Sequence, residues 1–199
     1  RNAETNVTTF TGNKEHQIFN FGSEMQCKFD GINFVNGYAE KGGAIVASLG
    51  SYSFTGCNFS ENESVAGGGA ILFSAGGSAI FENCEFNNNE CTPLSPDLDD
   101  KALGGTIYCN SKTTDLVLTF KGCVASDNTA YRGGFICSYG AKINIINSTL
   151  TGNESRRGGG VFYLSPAADL TVENCVFTEN KALYGATINA DSQVVVNGC

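Results

Sequence analysis

Gly68-Gly69-Ala70-Ile71, Phe81-Glu82-Asn83-Cys84 and Phe86-Asn87-Asn88-Asn89 follow one another in a single short stretch, and the same three phrases return along the whole chain. The Gly-Gly phrase recurs as Gly42-Gly43-Ala44-Ile45, Gly104-Gly105-Thr106-Ile107, Gly133-Gly134-Phe135-Ile136, Gly159-Gly160-Val161-Phe162 and, in degenerate form, Tyr184-Gly185-Ala186-Thr187. An F-x-x-N phrase stands at 10–13, 59–62, 86–89 and 177–180, with altered copies at 34–37, 125–128 and 150–153. Successive copies lie 24, 25, 27, 39, 25 and 27 residues apart, and the long step holds an insertion at 91–101. A fixed period of this size marks a solenoid or an array.

The third phrase carries the local geometry. Its third position is occupied by Gly31, Gly56, Asn83, Gly122, Asn147, Asn174 and Gly198. Only Gly and Asn appear there, the residue types that most readily take positive φ. A left-handed turn residue repeated once per unit accounts for that choice. Short alternating apolar stretches at 78–81, 116–120 and 141–145 read as strands. No stretch sustains a helical apolar period, and the Gly pairs would break one. Each unit is therefore read as three short strands separated by tight turns. Such a unit cannot bury its own apolar face, but stacked units can, at about 4.8 Å per coil.

The sequence predicts an all-β fold, a right-handed parallel β-helix of about seven coils of roughly 25 residues. The hand comes from the general crossover preference. A β-propeller is the alternative, but its blades need about 40 residues each. One domain is expected over 1–199. The start at Arg1-Asn2-Ala3 and the break after Cys199 read as a section of a longer repetitive protein. In the stacked arrangement the Phe columns become core stacks, and the Asn of F-x-x-N becomes an amide ladder at a turn.

Charge excludes one class of partner. Twelve Lys and Arg against 20 Asp and Glu give a net charge of -8, and the largest basic run is Arg156-Arg157. That is no footprint for a phosphate backbone. An anionic membrane surface would repel the chain as well, and no apolar run reaches the length of a membrane span.

Nine cysteines are present. Cys57, Cys84, Cys123, Cys175 and Cys199 share one column with Ile32 and Ser148. Vertical neighbours at coil spacing make Cys57–Cys84 and Cys175–Cys199 candidate disulfides, and Cys91 could staple the insertion to Cys109. The competing reading is a stack of buried free thiols. The cysteine content points to an oxidising, extracellular setting. No zinc spacing or cofactor motif occurs, and His16 is the only histidine. Of five N-x-S/T sequons, Asn6 and Asn58 are the candidate glycan acceptors, because Asn62, Asn147 and Asn153 are committed to the ladder and turn columns.

The insertion holds two of the three prolines together with Asp97, Asp99 and Asp100. It must leave the coils as a surface loop. Its three aspartates are calcium candidates, although the Gly and distal Glu of an EF-hand loop are missing. As a protruding loop it is the favoured point of partner contact.

The alternation of G-G-A-I with F-x-x-N, clearest at Gly68-Gly69-Ala70-Ile71 with Phe86-Asn87-Asn88-Asn89, resembles the repeat of the chlamydial polymorphic outer membrane proteins. The resemblance covers nearly the whole chain, with departures at Gly37, Ala125 and Leu150. It implies a β-helical passenger displayed on a cell surface and acting in adhesion. The expected function is a non-enzymatic cell-surface or extracellular adhesin or structural stalk. Its partners would be a cell-surface protein or glycan, or neighbouring copies of the same surface protein. The alternative is a β-helical polysaccharide lyase or glycoside hydrolase, whose sites need paired carboxylates or a basic residue on adjacent coils. An ice-binding face is disfavoured because Thr55, Thr119, Thr151 and Thr178 form no regular ladder.

Overall fold

The structure, a computed structural model, describes residues 7–22, 24–111 and 115–199. It is a stack of parallel coils. Three sheets have seven strands each, and a fourth has five. Every pairing within them is parallel.

The longest strands are Met25–Asp30, Gly50–Thr55, Gly77–Glu82, Leu116–Lys121, Lys142–Ile146, Asp169–Glu173 and Gln193–Asn197. In this long-strand sheet, Phe29, Phe54, Phe81 and Phe120 are in register, continued by Ile145, Val172 and Val196. After the turn comes the F-x-x-N sheet, where Phe10, Phe34, Phe59 and Phe86 align above Ala125, Leu150 and Phe177. The two Phe columns meet inside. Phe54 and Phe81 stack at 4.8 Å between ring centroids, and Phe81 and Phe120 at 4.7 Å. Phe81 also meets Phe86 edge-on at 5.3 Å. Offset stacks along a column with edge contacts across it are the arrangement aromatic quadrupoles favour.

All seven residues of the Gly/Asn turn column have positive φ, between 51° and 64°. A second left-handed column lies one turn further on, at Asn36, Glu61, Asn88, Asp127, Gly152 and Glu179. Its occupants are too varied to stand out in the sequence. Left-handed backbone at a non-glycine residue costs about 1–2 kcal/mol. Glu61 is exposed with φ at 55°, so Glu61→Gly should stabilise the protein by about 0.5–1 kcal/mol after the entropy cost of glycine. Chemical denaturation would read this as a higher midpoint.

The Asn of F-x-x-N forms the expected ladder. Asn62 Nδ2 donates to Asn89 Oδ1, Asn89 Nδ2 to Asn128 Oδ1, Asn128 Nδ2 to Asn153 Oδ1 and Asn153 Nδ2 to Asn180 Oδ1. Each Oδ1 also accepts the backbone N–H of the Asn in the preceding coil. Asn62, Asn89, Asn128 and Asn153 are fully buried. Gly37 stands at the head of this column, and its N–H donates to Asn62 Oδ1.

The three-strand unit needs one correction. A short fourth strand follows the ladder Asn, at Tyr38–Ala39, Glu63–Ser64, Glu90–Cys91, Thr129–Arg132 and Glu154–Gly158. Strands as short as two residues carry no readable alternation. The Gly-Gly phrase then turns the chain into the Gly-Gly sheet, Phe19–Phe21, Ile45–Ala47, Ile71–Phe73, Ile107–Cys109, Ile136–Ser138, Phe162–Leu164 and Ile188–Ala190. A Cβ on Gly69, Gly105, Gly134 or Gly160 would drive into the carbonyl oxygen of Gly105, Gly134, Gly160 or Ala186 in the next coil. The last phrase is therefore Gly185-Ala186-Thr187-Ile188, one residue later than the sequence alignment sets it. Ile188 pairs with Phe162, and Gly160 N–H donates to Gly185 O.

The insertion is more ordered than a plain loop. Cys91 belongs to a strand and is buried, and Pro96–Lys101 form a 3-10 helix. Proline near the helix start fixes φ in the helical range, where its missing N–H costs nothing. Ala102 then packs with Cys91 and Ala130 in a small cluster outside the main core.

Candidate functional site

All nine cysteines are free thiols, so the proposed bridges Cys57–Cys84, Cys175–Cys199 and Cys91–Cys109 are not formed. Directly stacked residues on parallel strands keep their side chains parallel at about 4.8 Å, whereas a disulfide needs converging Cβ atoms about 3.5–4.5 Å apart. The thiols are occupied otherwise. Cys84 Sγ donates to Phe54 O at 3.4 Å and Cys123 Sγ to Phe81 O at 3.4 Å. Ser148 N–H donates to Cys175 Sγ, and Cys123 N–H to the Ser148 hydroxyl. Serine thus substitutes for cysteine because a hydroxyl fills the same donor–acceptor position. The hydrogen bond with Cys84 holds the Cys57 thiol down to about 7, while Cys84, bonded to both Cys123 and Cys57, is raised.

Cys91 and Cys109 lie in different clusters, Cys91 under the insertion and Cys109 in the main core. Burial raises them to about 11 and about 12. Cys137 is opposite Tyr108 rather than Cys109, so it faces outward, into a cluster with Leu72 and Leu103. A chromogenic thiol reagent should count nine thiols in denaturant, and only Cys199 and Cys27 should react quickly in the native protein. A count of seven in denaturant would restore one bridge.

The other sequence candidates are dispersed. Asp99 Oδ1 pairs with Arg156 Nη1 at 3.3 Å, and Asp100 borders a separate hollow with Lys101, Glu40 and Tyr139. Among the described residues no three His, Cys, Asp or Glu side chains converge as a metal site. Asn58 is half-buried, with Nδ2 donating to Ser60 Oγ at 3.3 Å. Asn6 lies outside the described residues.

What the insertion does build is a cleft. Pro93 and Ala102 bring it against the fourth sheet and enclose about 260 Å³ between Glu90, Thr129, Tyr131, Glu154 and Arg156. Strand register sets the order: Glu90 pairs with Thr129, and Thr129 with Glu154. Glu90 accepts the Thr92 hydroxyl. The Asp99–Arg156 pair ties the 3-10 helix to the sheet. This pair is largely exposed, so it is worth at most about 1 kcal/mol.

Tyr131 joins the cleft to a cationic corner. The Arg132 guanidinium lies 5.6 Å from the Tyr131 ring centre and 5.2 Å from that of Tyr163. Arg157 Nη1 donates to the Tyr131 hydroxyl at 3.5 Å, and this contact raises the arginine further. Arg132 and Arg157 therefore flank one phenol, and Arg156 lines the cleft beside it, in a chain of net charge -8. The sequence shows only Arg156-Arg157. Arg132 arrives from the preceding coil, where a register shift after Ala130 sets it opposite Gly158.

Parallel coils, stacked core columns and a corner cleft define the class as a parallel β-solenoid. The chain belongs to the right-handed β-helix family: the family described as Right handed beta helix region matches residues 2–199. No curated protein and no solved structure matched the chain.

Proposed function

We propose that the chain is a non-enzymatic adhesive β-helix, displayed extracellularly or on a cell surface, that holds its partner in the cleft beneath the insertion. The finer likeness to the chlamydial polymorphic outer membrane proteins supports the same reading. The observation that carries the proposal is the cleft itself. An acidic, repetitive rod has one corner where an insertion, two phenols and three guanidinium groups gather on rigid strands. Sites held by strands keep their geometry better than sites on loops. Arg156 serves this arrangement by anchoring the 3-10 helix through Asp99.

The experiment is retention of the chain on cells and on immobilised surface glycans. Saturable retention that falls at least about tenfold in Tyr131→Ala supports the cleft, a size typical of a central interface residue. Retention unchanged by Tyr131→Ala, with the variant folded, removes it.

A glycoside hydrolase is the second reading, and one observation favours it. Glu90 and Glu154 are two coils apart, about 9.5 Å along the stack. Inverting hydrolases set their carboxyl groups about 6.5–9.5 Å apart. Against it, the Glu90 carboxylate is engaged by Thr92.

A further inference from the structure

We infer that the partner held by this cleft is an acidic polysaccharide, its acid groups meeting the arginine corner and its hydroxyls meeting Glu90 and Glu154. This rests on the proposed attachment through the cleft and adds the chemistry of what attaches.

Three features select that class. The first is Arg132. Its Nε is buried without a hydrogen-bond partner, and among the described residues no carboxylate lies within ion-pair distance of it. The guanidinium does reach the Tyr139 phenol. It is thus a half-buried cation without an anion, flanked by the Tyr131 and Tyr163 rings. A planar guanidinium held this way suits a carboxylate or a sulfate ester, to which it can present two parallel N–H donors.

The second is the pair of exposed carboxylates at the cleft floor, Glu90 and Glu154, with the Thr129 hydroxyl between them; Glu90 accepts Thr92 through Oε1 alone, which leaves Oε2 to a ligand. Carboxylates only accept hydrogen bonds, so they bind hydroxyl-rich ligands and repel a purely anionic one. An acidic peptide would satisfy the arginines and be opposed by Glu90 and Glu154. A sugar chain bearing both acids and hydroxyls satisfies both sets.

The third is the direction of repetition. Tyr131 and Arg132 lie side by side on one coil and Arg157 on the next, so an extended polymer can run along this corner from one coil to the other, past Arg132 and then Arg157.

Heparin, polygalacturonate, neutral dextran and polyglutamate would be titrated against the intact chain, with Arg132→Gln, Arg157→Gln and the remote control Lys142→Gln. The expected result is binding of the sulfated or uronate polymer, weakened by added salt, with dextran and polyglutamate at least about tenfold weaker. Arg132→Gln should lose about tenfold or more while Lys142→Gln retains wild-type affinity, as expected for loss of one charge-assisted contact. Which of heparin and polygalacturonate binds tells sulfate from carboxylate. Equal binding of polyglutamate, or acidic glycan binding indifferent to Arg132→Gln and Arg157→Gln, overturns the inference. Retention on cells that needs Tyr131 but is not competed by either acidic polymer overturns the inference while leaving the adhesive cleft standing. Loss of cell retention as a whole removes the reading beneath it.

Discussion

Asn89→Ala is expected to destabilise the fold by about 3–5 kcal/mol. The side chain is fully buried and makes more than one bond. Its Nδ2 donates to Phe59 O at 2.9 Å and to Asn128 Oδ1 at 3.0 Å, and its Oδ1 accepts from both the backbone N–H and Nδ2 of Asn62. Truncation leaves the Asn62 donors and the Phe59 carbonyl buried without their partner. Each orphaned buried group costs about 1–3 kcal/mol, and the lost volume adds a cavity. Urea denaturation would show the midpoint fall, and hydrogen exchange would locate the opening at the coils of Asn62 and Asn128. A loss below about 1 kcal/mol would mean that water replaces the ladder, which the full burial of its members argues against.

Phe81→Ala carries a comparable penalty for a different reason. Its ring is fully buried, stacked between Phe54 and Phe120 and meeting Phe59 and Phe86 across the core. Phe→Ala in a packed core costs about 3–5 kcal/mol, since the removed ring leaves a hole that rigid neighbours fill poorly. Those neighbours sit on sheets hydrogen-bonded coil to coil, which leaves little room for collapse. Phe81→Leu should recover more than half of the loss. The exposed outer neighbour Ile80 offers the contrast: Ile80→Thr should change stability by no more than about 0.5 kcal/mol.

The periodic features were legible because each repeats one physical demand in one residue type. Seven left-handed turns demanded Gly or Asn and received nothing else, from Gly31 to Gly198. The amide ladder and the Phe columns were legible for the same reason. Where different residue types meet one demand, the sequence falls silent. The second left-handed column mixes Asn36, Glu61, Asp127 and Gly152, and its glutamates disguise it. The last Gly-Gly copy reads one residue early in the sequence because Ala186 stands where the other coils need glycine to clear a carbonyl. The cysteine column was visible but its chemistry was not, since stacking distance alone does not separate a thiol ladder from a bridge. The cleft was the least legible feature. Arg132 lies one coil away from Arg156 and Arg157, and only the register that sets it opposite Gly158 brings it beside them at Tyr131. The insertion pointed toward that corner, yet through Asp99 and Arg156 rather than through a metal-binding acidic run.

The most direct test is one incubation of the chain with acidic polysaccharide, recording bound chain and newly released sugar ends together. Saturable binding that depends on Arg132 is expected, with no sugar ends released over the time in which binding reaches equilibrium. Release of sugar ends that disappears in Glu90→Gln or Glu154→Gln would contradict it and make the cleft a hydrolytic or lyase site.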